Sequence, residues 1–198
     1  MKLSLSIFVF STFISLAFSQ QRIITAGSSA TEIVCALGLC DKIVATDRTS
    51  LYPEQVRSLP SIGYRSSVNA EGVISQRPDV VIVEKDYVRE EVISQLQSAN
   101  IKTVIVDQDQ NFESTKTRIH IIADELGKKE EGETLIRKIE ADLASLQKKT
   151  EATASRPSVL CVYNRGSANM MVRGKNTSFG LLPMAGTVNA MVGMDGYK

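Results

Sequence analysis

Asp79-Val-Val-Ile-Val83, the stretch from Tyr87 to Ala99, and Lys102-Thr-Val-Ile-Val106 decide the fold. The first is a short run rich in β-branched residues with no polar alternation, the mark of a strand buried on both faces, and the third reads as another strand. The middle stretch reads as a helix, and a helix between two such strands makes them parallel neighbours, which need a crossover connection. The alternation extends in both directions. Upstream, Arg22 to Ala26 reads as a strand, Ala30 to Leu37 as an amphipathic helix, Lys42 to Ala45 as a second strand, and Ala70 to Gln76 as a short helix stopped by Pro78. Ser29 and Glu32 have the spacing of a capping box at the start of the first helix. Downstream, Glu113 to Leu126 is another helix. The expected class is α/β, a parallel sheet with helices on both faces.

From Lys128 to Glu151 the chain becomes charge-rich, with Leu135, Ile136, Ile139, Leu143 and Leu146 at helical spacing. Unbroken, this helix would be about 35 Å long. A new strand, Ser158 to Tyr163, follows Pro157, so the long helix is read as joining two Rossmann-like lobes. The expected divisions are a leader over 1–19, a first lobe over 20–127, the linking helix over 128–155 and the start of a second lobe over 156–198. That last stretch offers a further strand at Met170 to Val172 and a helix around Thr177 to Ala185. So few strands do not bury a sheet, and the second lobe is expected to be a truncated part of a longer chain.

Composition narrows the function classes. Of 198 residues, 43% are hydrophobic, and Lys+Arg 23 stand against Asp+Glu 22, so no basic surplus exists to neutralise a nucleic acid. Lys2, the apolar run Leu3 to Leu16 and Ala17-Phe18-Ser19 make a secretory signal peptide cut after Ser19. Removing Lys2 brings positive and negative side chains to parity, and the mature chain is expected not to insert in a membrane. Cys35, Cys40 and Cys161 are an odd number in an exported chain, so at least one thiol is unpaired within it. Cys35 and Cys40 approach each other only if the first helix ends near Gly38, and burial as small hydrophobes is the favoured reading. His120, the single histidine, lies inside an amphipathic helix and reads as a surface or partly packed residue. No nucleophile elbow, phosphate loop or dinucleotide fingerprint is present in the sequence, so no catalysis is expected.

The polar excursion from Asp47 to Asn69, broken at Pro53, Pro60 and Gly63, is too long for a simple connection and reads as cleft-lining. It carries Asp47-Arg-Thr-Ser-Leu-Tyr-Pro53 and Leu59-Pro-Ser-Ile-Gly-Tyr-Arg65, followed by Asn69-Ala-Glu-Gly72 and Arg77-Pro-Asp79. With Gly27-Ser-Ser-Ala-Thr-Glu32 before them and the long helix after, this order of motifs resembles the haem-binding periplasmic proteins of bacterial haemin ABC importers. Those sit within the wider cobalamin- and siderophore-binding group, and the likeness runs from Arg22 to Lys198.

The resemblance implies two lobes with ligand between them and delivery to a membrane permease, by a protein that is periplasmic and monomeric. It makes Tyr64 the ligand of the haem iron, and a phenolate is a hard anionic donor suited to ferric iron. Arg65 would favour that anion or pair a haem propionate. Here the sequence departs from the family, whose basic residue stands two places after the tyrosine, where this chain has Ser66. Tyr52 would line the pocket or pack on Pro53, and Ser28 and Ser29 would face the ligand or cap the helix. Met170, Met171 and Arg173 would approach from the second lobe. Glu71 would dock the permease through an arginine of the partner, while also favouring its own helix N-terminus. Cobalamin or a ferric siderophore on the same fold is the nearest rival ligand, and an exported α/β enzyme is the rival of another class.

Overall fold

A computed structural model describes residues 21–153, 155–164, 170–172, 181–191, 193–194 and 196. The proposed leader and Arg173 lie outside the described residues.

Strands β1 (Ile23–Ala26), β2 (Ile43–Thr46), β3 (Val80–Glu84) and β4 (Lys102–Val106) form one parallel sheet in the order β2-β1-β3-β4. Each is joined to the next through helical segments: α1 (Ser28–Ala36), α2 (Ala70–Ser75) and α3 (Glu90–Ser98). β1 and β3 sit in the middle of the sheet with both faces covered, whereas β4 is an edge strand whose Ile105 is 49% exposed. Ile23, Val80 and Ile82 face a cluster with α1, α4 (Phe112–Glu125) and Ile136 of α5 (Lys129–Glu151). Ile24, Ala26, Val81 and Val83 face the opposite cluster with α2, α3 and Tyr87. Fully burying each such aliphatic side chain is worth about 1.5–3 kcal/mol.

Helix α5 runs unbroken for 23 residues, as its periodicity predicts. Its first half lies close on α4: a side chain at Gly132 would meet the Ala123 methyl at 2.6 Å, so glycine sets the approach. Its second half is largely exposed. Beyond it, the strand expected over Ser158 to Tyr163 is broken at Leu160 and Cys161 into two. β5 (Ser158–Val159) pairs in parallel with β8 (Val188–Asn189), and β6 (Val162–Asn164) pairs antiparallel with β7 (Met170–Val172). A four-residue helix, α6 (Leu181–Met184), precedes β8. No helix among the described residues is long and apolar enough to cross a membrane.

The cysteine expectation is corrected. Helix α1 ends at Ala36 with Gly38 in the left-handed conformation, the turn brings Cys40 back, and Cys35 and Cys40 form a disulfide. Cys161 is free and half-buried.

A candidate ligand site at the carboxyl edge of the sheet

In a parallel sheet, ligands bind beyond the carboxyl ends of the strands where the strand order reverses. Here the chain goes from β1 to β2 on one side, then returns to β3 on the other, so the reversal lies between β1 and β3. The loops that leave these strands carry Gly27 to Ser29, Asp47 to Pro53 and Glu84 to Arg89.

Tyr64 reaches this edge by an extension of the sheet. Residues 60–63 run beside β2, with Thr46 N–H donating to Pro60 O (3.0 Å), Ile62 N–H to Thr46 O (2.9 Å) and Arg48 N–H to Gly63 O (2.9 Å). Gly63, at φ 107°, then turns the chain, and the Ser67 hydroxyl accepts from Tyr64 N–H at 2.8 Å. The Tyr64 ring is left 41% exposed. It meets the ring of Tyr87 edge-on, 6.4 Å between centroids at 86°. The Arg65 guanidinium sits over both rings, 5.8 Å from the Tyr64 centroid and 5.1 Å from that of Tyr87. Leu51 and Tyr52, next to Pro53 in the loop after β2, are exposed. A cavity of about 650 Å³ opens against Arg65, Tyr87 and Ile105, with Lys85 and Arg89 on its wall beside the carboxylates of Glu84, Asp86 and Glu90.

Beneath the exposed rings is a buried polar network. Asp47 receives Gly27 N–H (3.0 Å) and Ser50 Oγ (2.6 Å) on one carboxylate oxygen, and Thr49 N–H (2.7 Å), Thr49 Oγ1 and the Tyr87 hydroxyl on the other. Burial pushes this carboxyl upward, but the donors from Ser50, Thr49, Tyr87 and Gly27 outweigh it and hold Asp47 below the usual range. Tyr87 is pushed in the other direction, above the usual tyrosine range, by burial and by donating to Asp47. Thr25, Thr31, Thr46 and Ser50 share further hydroxyl bonds under it, so no member of the group lacks a partner.

The structure brings Tyr64 and Arg65 together and separates Ser29 from them in role. Ser29 Oγ donates to Glu84 Oε1 at 2.8 Å, and that oxygen also accepts Ser29 N–H (2.7 Å) and Ala30 N–H (3.2 Å). The end of β3 therefore caps α1, in place of the Ser29–Glu32 capping box expected from spacing; Gly27 stands at the cap position. Gly27 must be glycine, since a Cβ there would meet the Glu84 side chain at 2.3–2.5 Å. Ser28 is half-buried beside it. Met170 and Met171 lie in β7, in a separate sheet. Glu71 is exposed in the first turn of α2, whose amino end is capped by Asn69 accepting from Gly72 N–H at 2.8 Å. His120 is on α4, across the sheet from Tyr87, with Nδ1 3.4 Å from Glu133 Oε1. A second cavity, about 640 Å³ between the start of α4, the second half of α5 and Pro183 to Gly186, contains none of the expected ligand residues. Asp47, Glu84 and Tyr87 are the site residues that sequence reasoning missed.

A parallel sheet with exposed aromatic residues and a fixed polar network at its switch point defines an α/β ligand-binding protein. A periplasmic binding protein family model matches residues 23–193, and the chain belongs to that family. Among solved structures it is similar to the periplasmic heme-binding protein RhuT of Roseiflexus sp. RS-1, at 30% identity and TM-score 0.84 over 90% of this chain and 69% of that one. A periplasmic heme-binding protein of Pseudomonas aeruginosa is similar at 30% identity and TM-score 0.81, over 90% of this chain and 65% of that one. Among curated relatives, the ABC transporter substrate-binding lipoprotein YvrC of Bacillus subtilis is 31% identical over 66% of this chain, which spans 42% of its length. A vitamin B12-binding protein of Vibrio cholerae is 34% identical over 38% of this chain, which spans 28% of its length.

Proposed function

We propose that this protein binds ferric haem in the periplasm, with Tyr64 as the iron ligand, and passes it to the permease of an ABC importer without catalysing a reaction. The observation that carries the reading is the exposed Tyr64 ring, held by Tyr87 and Arg65 at the switch point, in a chain 30% identical to two heme-binding structures. Haem is flat and apolar with two carboxylates at one edge. Leu51 and Tyr52 offer exposed apolar surface to such a face, and Arg65, Lys85 and Arg89 are cations within reach of the adjoining cavity. In this reading 20–127 form the first lobe, α5 links it to a second, Met170, Met171 and Arg173 approach the ligand from beyond α5, and Glu71 pairs with a cation of the permease. Neither Ser28 nor Ser29 is assigned to the ligand, because Glu84 already holds the turn they begin.

Vitamin B12 is the second reading, favoured by the Vibrio relative. The test is a titration with ferric haem and, separately, with cobalamin. Haem should give a Soret band and the charge-transfer band of a high-spin, five-coordinate iron phenolate. Tyr64→Phe keeps the ring and its packing and removes only the oxygen, so folding should survive while affinity and the phenolate bands are lost. Tyr52→Phe should lose neither. A Tyr64→Phe variant with the parental haem spectrum would show that another residue holds the iron, and tight cobalamin binding without haem binding would replace the reading.

A further inference from the structure

The exposed ligand tyrosine is less free than its exposure suggests. The Tyr87 ring packs against its ring at right angles, the Arg65 guanidinium lies beside it, and Arg65 in turn lies over the ring of Tyr87. Tyr87 is 4% exposed and its hydroxyl ends on Asp47, a carboxylate 2% exposed. With three other residues donating to the same carboxylate, its lone-pair directions are taken, and the direction of the Tyr87 hydroxyl is fixed with them. Arg65 adds a second sign of constraint. Its φ of 42° lies in the left-handed region, which a non-glycine residue keeps only where its surroundings over-determine it. No ion pair to Arg65 occurs among the described residues, and its guanidinium rests on the two rings.

We propose that Tyr87, anchored through Asp47, is the positioning residue of the ligand site: its ring orients Tyr64 and its face holds Arg65, so the ligand meets a preformed tyrosine–arginine pair. Preorganisation of this kind removes the cost of ordering two surface side chains when the ligand arrives. The inference rests on the haem reading for the identity of the ligand, and on the geometry alone for the clamp. Tyr87 does not itself touch the iron.

Two variants test it, Tyr87→Leu, which removes the aromatic contact, and Tyr87→Phe, which keeps the ring and cuts the anchor. Both are first checked for native circular dichroism. In ring-labelled apo protein, the Tyr64 signals should lose their ring-current shift in Tyr87→Leu and move part of the way in Tyr87→Phe. In the ferric haem complex, release to an apoglobin acceptor should quicken about tenfold in Tyr87→Leu and about threefold in Tyr87→Phe, the worth of an edge-to-face aromatic pair. The charge-transfer band should broaden, a change that lost stability alone would not produce. Unmoved Tyr64 signals in a folded Tyr87→Leu protein overturn the clamp whatever the ligand is, and so does a parental release rate with parental bands. If a chain carrying a complete second lobe binds no haem, the haem reading falls, while the Tyr64 ring signals still decide whether Tyr87 positions it.

Discussion

The four-stranded sheet and the strands after Pro157 are built from similar residues and end in different environments. β1 and β3 bury aliphatic side chains on both faces, whereas beyond Ile136 none of the residues whose burial is described is buried. β6 shows the contrast most directly: Val162 and Tyr163 are 46% and 44% exposed, although a valine in β3 is almost wholly covered. β-propensity describes a fit to a half-covered pleated surface, and without a cover the same residue stabilises little. The difference also separates two kinds of candidate site residue. Tyr64 packs on Tyr87, whose hydrogen-bond network lies within the first region, from Gly27 to Tyr87, while β7 pairs with β6 in a two-stranded sheet.

The largest expected effect contrasts the two regions. Ile82→Ala, in the middle of β3, should cost about 3–4 kcal/mol, and Val188→Ala in β8 less than about 1 kcal/mol. Urea unfolding measures both, and similar losses would mean that the exposed strands contribute as much stability as the buried sheet.

Asp47→Asn sharpens the comparison inside the first region. It should destabilise by about 2 kcal/mol at neutral pH, since a buried acceptor of several donors becomes an amide with hydrogens of its own. Asp47 is held below the ordinary carboxylate range, so its contribution is present above the unfolded value and lost as pH falls through the folded one. The gap between parent and variant should therefore begin to narrow below about pH 4, the unfolded carboxylate value, and go on narrowing as pH falls toward the lower folded value. A gap that persists to pH 2 would assign the loss to packing instead of charge.

The smallest expected effect on stability is that of Glu71→Ala, at most about 1 kcal/mol from the lost helix-end charge. Haem affinity should stay at the parental value while transfer to a reconstituted importer slows. Unchanged transfer would leave Glu71 as a helix-end carboxylate only.

The alternation of strands and helices was legible because buried parallel strands must be continuously apolar. β4 falls on its expected limits, and α5 falls within a residue of the periodic stretch Lys128 to Glu151 but ends short of the linking span expected to 155. Tyr64 and Arg65 were legible as a motif. What was not legible depends on partners far along the chain. Glu84 lies 55 residues from the helix it caps, and its strand register places it there. Tyr87 read as the first residue of a helix; it precedes α3, which begins at Glu90, and its hydroxyl turns instead to Asp47, 40 residues earlier. Cys35 and Cys40 failed for the opposite reason: spacing allowed the pair, and only the turn at Gly38 decides it. The break at Leu160 and Cys161 follows from pairing with two different strands, which composition does not encode.

The Glu84 carboxylate at the head of α1 makes the protein its own competitor for anions. Folds of this topology commonly seat a phosphate against a helix N-terminus at the strand-order reversal. Here that seat is occupied by a group tethered to the neighbouring strand, with three hydrogen bonds to one oxygen. A tethered ligand acts at an effective concentration of roughly millimolar or higher, so a free anion must exceed that level before it displaces the carboxylate.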